Sequence, residues 1–278
     1  MKKQIVFLDG DFLELKEAKL SLIEPAFLYG WSVFETMRAY KKNIVYLKQH
    51  LQRIKASAPY LYLKFNYSFE KIKQIIFKLI DLNKIEDAYV RLTLFKNYKE
   101  KTSTFVWVKP YKPYPKSKYL KGFYACVSDF KVNKGSFLNR VKSGNYLLYQ
   151  LSYLKAKQNG FDEAIILNNE GYIAEASRSN IFFIKKDKLF TPSLDCGCLN
   201  GITRQVILDI AKKNSIEVKE GNFLLEDIYK AEEAFLTNSL VGLMPLVYIE
   251  KYRIGKSPFR LTQFFIKEYN SLLWNIKK

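Results

Sequence analysis

Two patterns of apolar residues predict that the first 110 residues form a β-rich domain with two helices. An apolar run at 4–8 precedes Asp9-Gly10, a residue pair typical of a hairpin turn. Further strands are predicted where β-branched and aromatic residues are concentrated, at 33–40, 88–95 and 104–108. Apolar residues at helical spacing predict helices at 48–60 and 68–82.

A proline-rich segment separates this part of the chain from the rest. Three prolines within residues 110–115 oppose both a helix and a central strand, so we place an interdomain linker at 111–122. The predicted domains are therefore an N-terminal α/β domain at 1–110 and a C-terminal α/β domain at 123–278. In the second domain, strands are predicted at 123–130, 163–168, 171–175, 180–184 and 233–236. Helices are predicted near 146–159, from 203 or 204 onward, at 224–231 and at 259–276.

The charge of the chain raises the question of a nucleic-acid partner. Lys and Arg number 46 against 27 acidic residues, which gives a net charge of +19, and such an excess is typical of nucleic-acid-binding proteins. The lysines are, however, interspersed with acids and form no block of like charge. We interpret the charge as a solvated surface, part of which attracts an anionic substrate. No nucleic-acid partner is expected.

Other classes of protein are disfavoured by the same reading. Asp9 and Asp11 interrupt the first apolar run, and no apolar run approaches about 18 residues, so neither a secretory leader nor a membrane span is expected. We therefore expect a cytoplasmic protein. Three cysteines and one histidine, His50, lack the usual ligand set of a tetrahedral zinc site. No metal site and no disulfide are expected.

Three local motifs suggest cofactor chemistry, although each also has an ordinary explanation. Residues 197–204 form a Gly-rich turn before an amphipathic helix, where backbone amides and the Thr203 hydroxyl can hold a phosphate or merely cap the helix. Lys142 lies in a small-residue turn, where a lysine can act as a nucleophile and proton carrier or simply face solvent. Glu175 ends a strand, where a carboxylate can keep a heteroaromatic nitrogen protonated.

Taken in order, the motifs resemble the class IV aminotransferases, which include branched-chain aminotransferases, D-amino-acid aminotransferases and aminodeoxychorismate lyases. The matching segments are 27–30, 33–38, 50–53, 89–91, 142–146, 162–164, 175–182, 201–204 and 235–245. The resemblance covers nearly the whole chain. It implies a two-domain α/β architecture of PLP fold type IV, similar to D-amino-acid aminotransferase, with pyridoxal 5'-phosphate (PLP) as cofactor, and a homodimer.

The resemblance also implies roles for individual residues. Lys142 matches the lysine that carries PLP as a Schiff base and moves protons, and Glu175 matches the partner of the pyridine nitrogen. Arg53 matches a phosphate-binding arginine. The other residues on the cofactor side are Tyr146, Ile202, Thr203 and Ser239. The residues on the substrate side are Tyr29, Tyr89 and Arg91.

Within the family, the motifs point in two directions. Branched-chain aminotransferases usually have Gly where Thr36 follows Glu35, and the stretches 192–197 and 236–245 are more similar to aminodeoxychorismate lyases. Tyr89-Val90-Arg91, in contrast, is similar to branched-chain enzymes. We expect aminodeoxychorismate lyase activity. The alternative is a class IV aminotransferase that acts on branched-chain or D-amino acids with 2-oxoglutarate, and a remote one is a cofactor-free anion- or RNA-binding protein.

Overall fold

The computed structural model describes residues 4–40, 43–255 and 258–275, and within them the chain forms two compact units. The first unit extends to Pro113 and includes Val141–Tyr146. The second unit comprises Tyr114–Arg140 and the chain from Leu147 onward. Both units combine strands and helices, which agrees with the predicted α/β class.

The first unit is built on a six-stranded antiparallel sheet. Its strands are β1 (Ile5–Leu8), β2 (Asp11–Glu14), β3 (Ser32–Tyr40), β4 (Asn43–Ile44), β5 (Asp87–Lys96) and β6 (Thr102–Pro110), in the order β2-β1-β6-β5-β3-β4. Its helices are α1 (Pro25–Tyr29), α2 (Leu47–Ser57) and α3 (Phe69–Leu82). Ser68 caps α3 by accepting a hydrogen bond from the backbone amide of Lys71 at 3.1 Å.

Only one face of this sheet is closed by helices. Val33, Met37 and Val90 point to the buried core, which they share with Ile54 of α2 and Ile76 of α3. Because side chains alternate along a strand, the intervening residues of β3, β5 and β6 lie on the opposite face. Most of those residues are only partly buried.

The second unit contains a nine-stranded mixed sheet. Its strands are β7 (Phe123–Val127), β8 (Glu163–Leu167), β9 (Ile173–Ala176), β10 (Asn180–Lys185), β11 (Lys188–Pro192), β12 (Val218–Gly221), β13 (Glu233–Asn238), β14 (Gly242–Ile249) and β15 (Tyr252–Arg253). The order is β12-β11-β10-β13-β14-β7-β8-β9, and β15 pairs with β14. Its helices are α4 (Lys116–Lys121), α5 (Leu147–Gln158), α6 (Ile202–Lys213), α7 (Leu225–Tyr229) and α8 (Arg260–Asn275). Among the described residues, no helix is long and apolar enough to cross a membrane.

The two units differ from the predicted domain boundaries in one respect. Residues 141–146 belong to the first unit, although the sequence places them inside the predicted domain at 123–278. The segment 111–122 contains α4, which begins after Pro115, and its assignment as a linker stays a prediction. The ends of the predicted domains and of the helix at 259–276 include residues 1–3 and 276–278, which lie outside the described part of the chain.

Candidate active site

Lys142 is held in place by the backbone of β3. The Phe34 amide donates a hydrogen bond to the Lys142 carbonyl at 2.8 Å, and the Gly144 amide donates to the Ser32 carbonyl at 2.8 Å. A Cβ atom at position 144 would collide with the Ser32 hydroxyl and the Gly30 carbonyl. The close approach of the two chain segments therefore requires glycine two residues after the lysine.

The side chain of Lys142 lies beside two aromatic rings. Its Nζ is 4.8 Å from the centre of the Phe34 ring and 5.5 Å from that of Tyr146. The two rings meet edge to face, with their centres 5.6 Å apart. The Arg91 guanidinium also lies over Phe34, at 3.7 Å from the ring centre. Two positive groups thus share one ring, an arrangement that attracts an anionic substrate.

Arg53 lies in a buried cluster with Glu35 and His50. Its Nε and Nη2 donate to the two oxygens of Glu35, each at 2.7 Å, and His50 Nδ1 lies 2.6 Å from Glu35 Oε2. Burial alone would raise the pKa of Glu35, but the charge of Arg53 and the contact with His50 outweigh it and lower this pKa to about 2. Burial lowers the pKa of His50. Glu35 is therefore an anion that orients Arg53.

The residues predicted on the substrate side occupy two places in the first unit. Arg91 pairs with Thr36 across the strands, and Tyr89 pairs with Arg38, so both lie on the sheet face that the helices leave open. Arg91 Nε donates to Thr93 Oγ1 at 3.3 Å. Tyr29 ends α1 and is 67% exposed.

Glu175 is buried at the end of β9 and is held by the loop that precedes α6. Its Oε2 accepts hydrogen bonds from Asn180 Nδ2 at 3.4 Å and from the Leu199 amide at 3.3 Å. Asn180 Nδ2 also donates to the Leu199 carbonyl at 2.8 Å. A Cβ atom on Gly201 would collide with Asn180 Oδ1, so this loop too requires glycine. Asn180 thereby ties the carboxylate of Glu175 to the start of α6.

Helix α6 begins at Ile202 without a side-chain cap. Thr203, in its first turn, is 2% exposed, and its Oγ1 has no hydrogen-bond partner among the described residues. Arg204 is buried beside it, donates to the Pro192 carbonyl at 3.0 Å and forms an ion pair with Glu220. Buried polar atoms are normally hydrogen-bonded, so an unsatisfied hydroxyl at an uncapped helix start is suited to an anion.

Ser239 lies in the turn between β13 and β14, next to a polar network. Asn238 Oδ1 accepts a hydrogen bond from the Val241 amide at 2.9 Å, and Asn238 Nδ2 donates to Ser179 Oγ at 3.0 Å. Ser179 Oγ donates to Glu163 Oε2 at 3.4 Å. Burial raises the pKa of Glu163. This network joins the turn that carries Ser239 to the turn that follows Glu175.

The structure distributes the predicted site residues between the two units. The first unit contains Lys142, Arg53, Tyr146, Tyr29, Tyr89 and Arg91, and the second contains Glu175, Ile202, Thr203 and Ser239. Their individual roles stay predictions. Sequence reasoning missed Glu35, His50 and Asn180 as residues that hold the candidate site together. The available signal for Glu35 was its place in the strand at 33–40, where it alternates in phase with the apolar residues Val33, Met37 and Ala39.

The family model for class IV amino-transferases matches residues 32–249. The chain belongs to the class IV aminotransferases. Members of this family are PLP-dependent enzymes, so the chain is a PLP-dependent enzyme. Membership in the family argues against the remote alternative of a cofactor-free binding protein.

Relatives of this class IV chain have more than one activity. It is 33% identical to a probable branched-chain-amino-acid aminotransferase from Aquifex aeolicus, over 98% of this chain and 94% of the relative. It is 32% identical to the aminodeoxychorismate lyase of Bacillus subtilis, over 90% and 88%. The branched-chain aminotransferase of Thermoproteus uzoniensis, solved with norvaline, has a TM-score of 0.90 and 27% identity, over 99% of this chain and 96% of that one. These similarities therefore support both the fold and the family of this chain.

The residues of this class IV enzyme fit PLP within each unit. In the second unit, the unsatisfied Thr203 hydroxyl and the uncapped start of α6 suit the phosphate, and the buried carboxylate of Glu175 suits the pyridine nitrogen. In the first unit, Lys142 supplies an amine beside Phe34, and Arg53 supplies a guanidinium that Glu35 orients. Each unit thus offers groups that match a part of the cofactor.

Proposed function

We propose that this class IV enzyme is aminodeoxychorismate lyase, which converts 4-amino-4-deoxychorismate to 4-aminobenzoate and pyruvate and so serves folate biosynthesis. One observation carries the proposal: strands β3, β5 and β6 carry no aliphatic side chain on the open face of the first sheet. On this face they present Phe34, Thr36, Arg38, Tyr40, Asp87, Tyr89, Arg91, Thr93, Phe105, Trp107 and Lys109.

The chemistry of this face favours a cyclic, anionic substrate. A branched aliphatic side chain is recognised by an apolar pocket, because its binding rests on burial of apolar surface. Here Arg91 and Lys109 supply positive charge among aromatic rings, which suits an unsaturated ring with carboxylates. Thr36, opposite Arg91, adds a hydroxyl where branched-chain enzymes usually have glycine.

Each residue of the candidate site has a task in the proposed reaction. PLP, when bound, withdraws electrons from the carbon that bears the substrate amine. Lys142 binds the cofactor in the resting enzyme, and its amine then takes the proton from that carbon. Glu175 stabilises positive charge on the pyridine nitrogen. Arg53, Thr203 and the amides at the start of α6 hold the phosphate, together with Ser239 and Tyr146 on the cofactor side.

The overall bond changes need no second substrate. The ring carbon that bears the amine loses its proton, and the bond between the ring and the enolpyruvyl oxygen breaks. Enolpyruvate leaves and takes up a proton to become pyruvate, and the ring becomes aromatic. A transaminase, in contrast, must accept a keto acid to complete its cycle.

The second candidate is a class IV aminotransferase that acts on branched-chain or D-amino acids. The observation that favours it is the pair Tyr89 and Arg91 on the open face, in a chain 33% identical to a probable branched-chain-amino-acid aminotransferase. One experiment separates the two candidates. The PLP-loaded enzyme is given aminodeoxychorismate alone, and separately L-leucine or D-alanine with 2-oxoglutarate.

The two outcomes of this experiment are opposite. Lyase activity releases 4-aminobenzoate and pyruvate in equal amounts from aminodeoxychorismate alone. Steady formation of glutamate from either amino acid, without any 4-aminobenzoate in the first reaction, would show that the lyase proposal is wrong.

We also propose that the enzyme acts as a cytoplasmic homodimer. Six large apolar side chains within residues 20–29 are half exposed or more: Leu20, Leu22, Ile23, Phe27, Leu28 and Tyr29. Several exposed apolar side chains within so short a segment are typical of a protein interface. Sedimentation at micromolar concentration tests the proposal, because a Phe27→Glu variant should shift a dimer towards monomer.

A further inference from the structure

One buried donor on the open face of the first sheet has no acceptor. The indole Nε1 of Trp107 is buried and makes no hydrogen bond with any described residue. Leaving a buried N–H unsatisfied is costly, so most buried tryptophans find an acceptor.

Two cations flank Trp107 without an acidic partner. Arg91 lies directly opposite Trp107 in the strand register, and Lys109 follows two residues later on the same face. Within the described chain, neither Arg91 nor Lys109 forms a salt bridge, in contrast to Arg38, which is held by Asp87. Lys109 Nζ lies 4.9 Å from the centre of the Trp107 ring and 4.8 Å from that of the Tyr89 ring.

The two cations are placed to bind two separate anionic groups. Arg91 extends back to the Phe34 ring, which Lys142 also contacts, so it serves an anion close to the reacting amine. Lys109 stands one row further along the sheet, and successive rows on a face are about 7 Å apart. That spacing lets the two cations bind the two ends of a small dicarboxylate.

We propose that Trp107 and Lys109 form a second carboxylate subsite, which makes the enzyme selective for amine substrates with two carboxylates. This inference deepens the proposed function and rests on it, because aminodeoxychorismate carries one carboxylate on the ring and another on its enolpyruvyl group. Arg91 binds one of them. The Trp107 indole N–H and the Lys109 ammonium bind the other, over the faces of Tyr89 and Trp107.

A matched pair of unreactive ligands tests the subsite. The ligand 3-(carboxymethoxy)benzoate has a ring carboxylate and an ether-linked carboxylate, whereas 3-methoxybenzoate lacks the second one. Their dissociation constants are measured by calorimetry with the PLP-loaded enzyme. The dicarboxylate should bind at least tenfold more tightly, since a charge-assisted hydrogen bond contributes about 1.5–3 kcal/mol and about 1.4 kcal/mol is tenfold.

Substitutions of Lys109 and Trp107 test whether these residues cause the preference for the dicarboxylate. Lys109→Met should weaken dicarboxylate binding about tenfold and leave monocarboxylate binding within about twofold, and Trp107→Phe should weaken the dicarboxylate severalfold. Lys109→Arg should retain the preference. Lys78→Met is the matched control, because Lys78 is also an exposed lysine over an aromatic ring, that of Phe12, and should change neither constant.

The proposal is overturned if the wild-type enzyme does not distinguish the two ligands, or if Lys109→Met affects both equally. Neither ligand has an amine, so this result does not depend on turnover. Selective binding without release of 4-aminobenzoate from aminodeoxychorismate would retain the subsite and refute the lyase. Release of 4-aminobenzoate without selective binding would support the lyase and refute the subsite.

Discussion

Arg53 donates two parallel hydrogen bonds to the buried carboxylate of Glu35, and each of them is 2.7 Å long. Removal of one partner from a buried ion pair typically costs about 3–5 kcal/mol, because the other charge is left uncompensated. Glu35→Gln should therefore lower the free energy of unfolding by about 3 kcal/mol and weaken PLP binding, since Arg53 loses its orientation. Urea unfolding and cofactor titration measure the two effects.

The matched control for this variant is Asp87→Asn. Asp87 forms a bidentate ion pair of the same kind with Arg38 in the same sheet, but both partners are partly exposed. Its loss should cost about 1 kcal/mol or less and leave PLP affinity unchanged. Equal effects of the two substitutions would refute a special role for Glu35.

Stability should fall when the pH drops below the ordinary pKa of histidine. His50, the single histidine of the chain, is buried, and burial lowers its pKa below the ordinary value of 6.5. The unfolded chain then binds a proton that the folded chain does not, so the free energy of unfolding decreases as the pH falls below about 6.5. Urea unfolding at about pH 8, 6.5 and 5.5 measures this slope, and His50→Gln should reduce it.

The free energy of unfolding should decrease further in stronger acid, because of Glu35. The folded-state pKa of Glu35 is about 2, below the ordinary value of 4.5. Its contribution is complete above about pH 4.5 and is lost as the pH falls towards about 2. A slope that is the same in Glu35→Gln and wild type over this range would contradict the assignment.

Thr203→Val should have opposite effects on the apoenzyme and on cofactor binding. Valine has the same shape and removes a buried hydroxyl that has no partner among the described residues, so the apoenzyme should gain about 1 kcal/mol. PLP should bind about tenfold more weakly, because its phosphate loses a donor. Thermal unfolding without PLP and fluorescence titration with PLP report the two effects.

Thr262→Val provides the control for this prediction. Thr262 is also buried, and its Oγ1 also has no partner in the described part of the chain. It lies in α8, a helix that contains no residue predicted to contact PLP. This substitution should give the same stabilisation of the apoenzyme with no change in PLP affinity, and a loss of affinity here would show that the test is not specific.

Glu175→Gln should retain PLP and lose most of the turnover. Glutamine can keep the contacts with Asn180 and Leu199, but it cannot stabilise a positive charge on the pyridine nitrogen. We expect kcat to fall by a factor of about 100 or more, while the phosphate anchor is unaffected. Steady-state kinetics and the near-visible absorption spectrum measure the two properties, and a variant with full kcat would exclude this partner.

Borohydride reduction of the PLP-loaded enzyme should label Lys142. Reduction converts the bond between cofactor and lysine into a stable secondary amine, and peptide mapping then identifies the residue. The predicted label lies on the peptide that contains 141–146. Label on any other lysine would refute the assignment of the site.

The sequence predicted the elements whose apolar residues have a clear period. Helices α2 and α3 and strands β3 and β5 lie within a few residues of their predicted positions. Strand β14 was missed, because seven of its eight residues are buried and no alternation marks it. It also contains Pro245, a residue that normally indicates an edge strand, whereas β14 lies between β13 and β7 with a register shift after Leu246.

The sequence predicted only those residues of the candidate site that lie in motifs with a recognisable chemical function. The motifs around Lys142, Glu175 and Thr203 each mark a group suited to part of PLP. The partners that hold those groups are far away in the sequence: Glu35 lies 18 residues before Arg53, and Leu199 lies 24 residues after Glu175. Hydrogen bonds over such separations leave no local pattern. The unsatisfied N–H of Trp107 likewise becomes visible only in three dimensions.

The return of residues 141–146 to the first unit has a consequence for the order of folding. The Phe34 amide donates a hydrogen bond to the Lys142 carbonyl, and the Gly144 amide donates one to the Ser32 carbonyl. The two residues of each pair are more than about 100 positions apart in the sequence. Contacts between residues so distant in sequence form slowly, because a long loop must close before they are made. We therefore expect the candidate cofactor lysine to reach its position late, after β3 has already paired with β5.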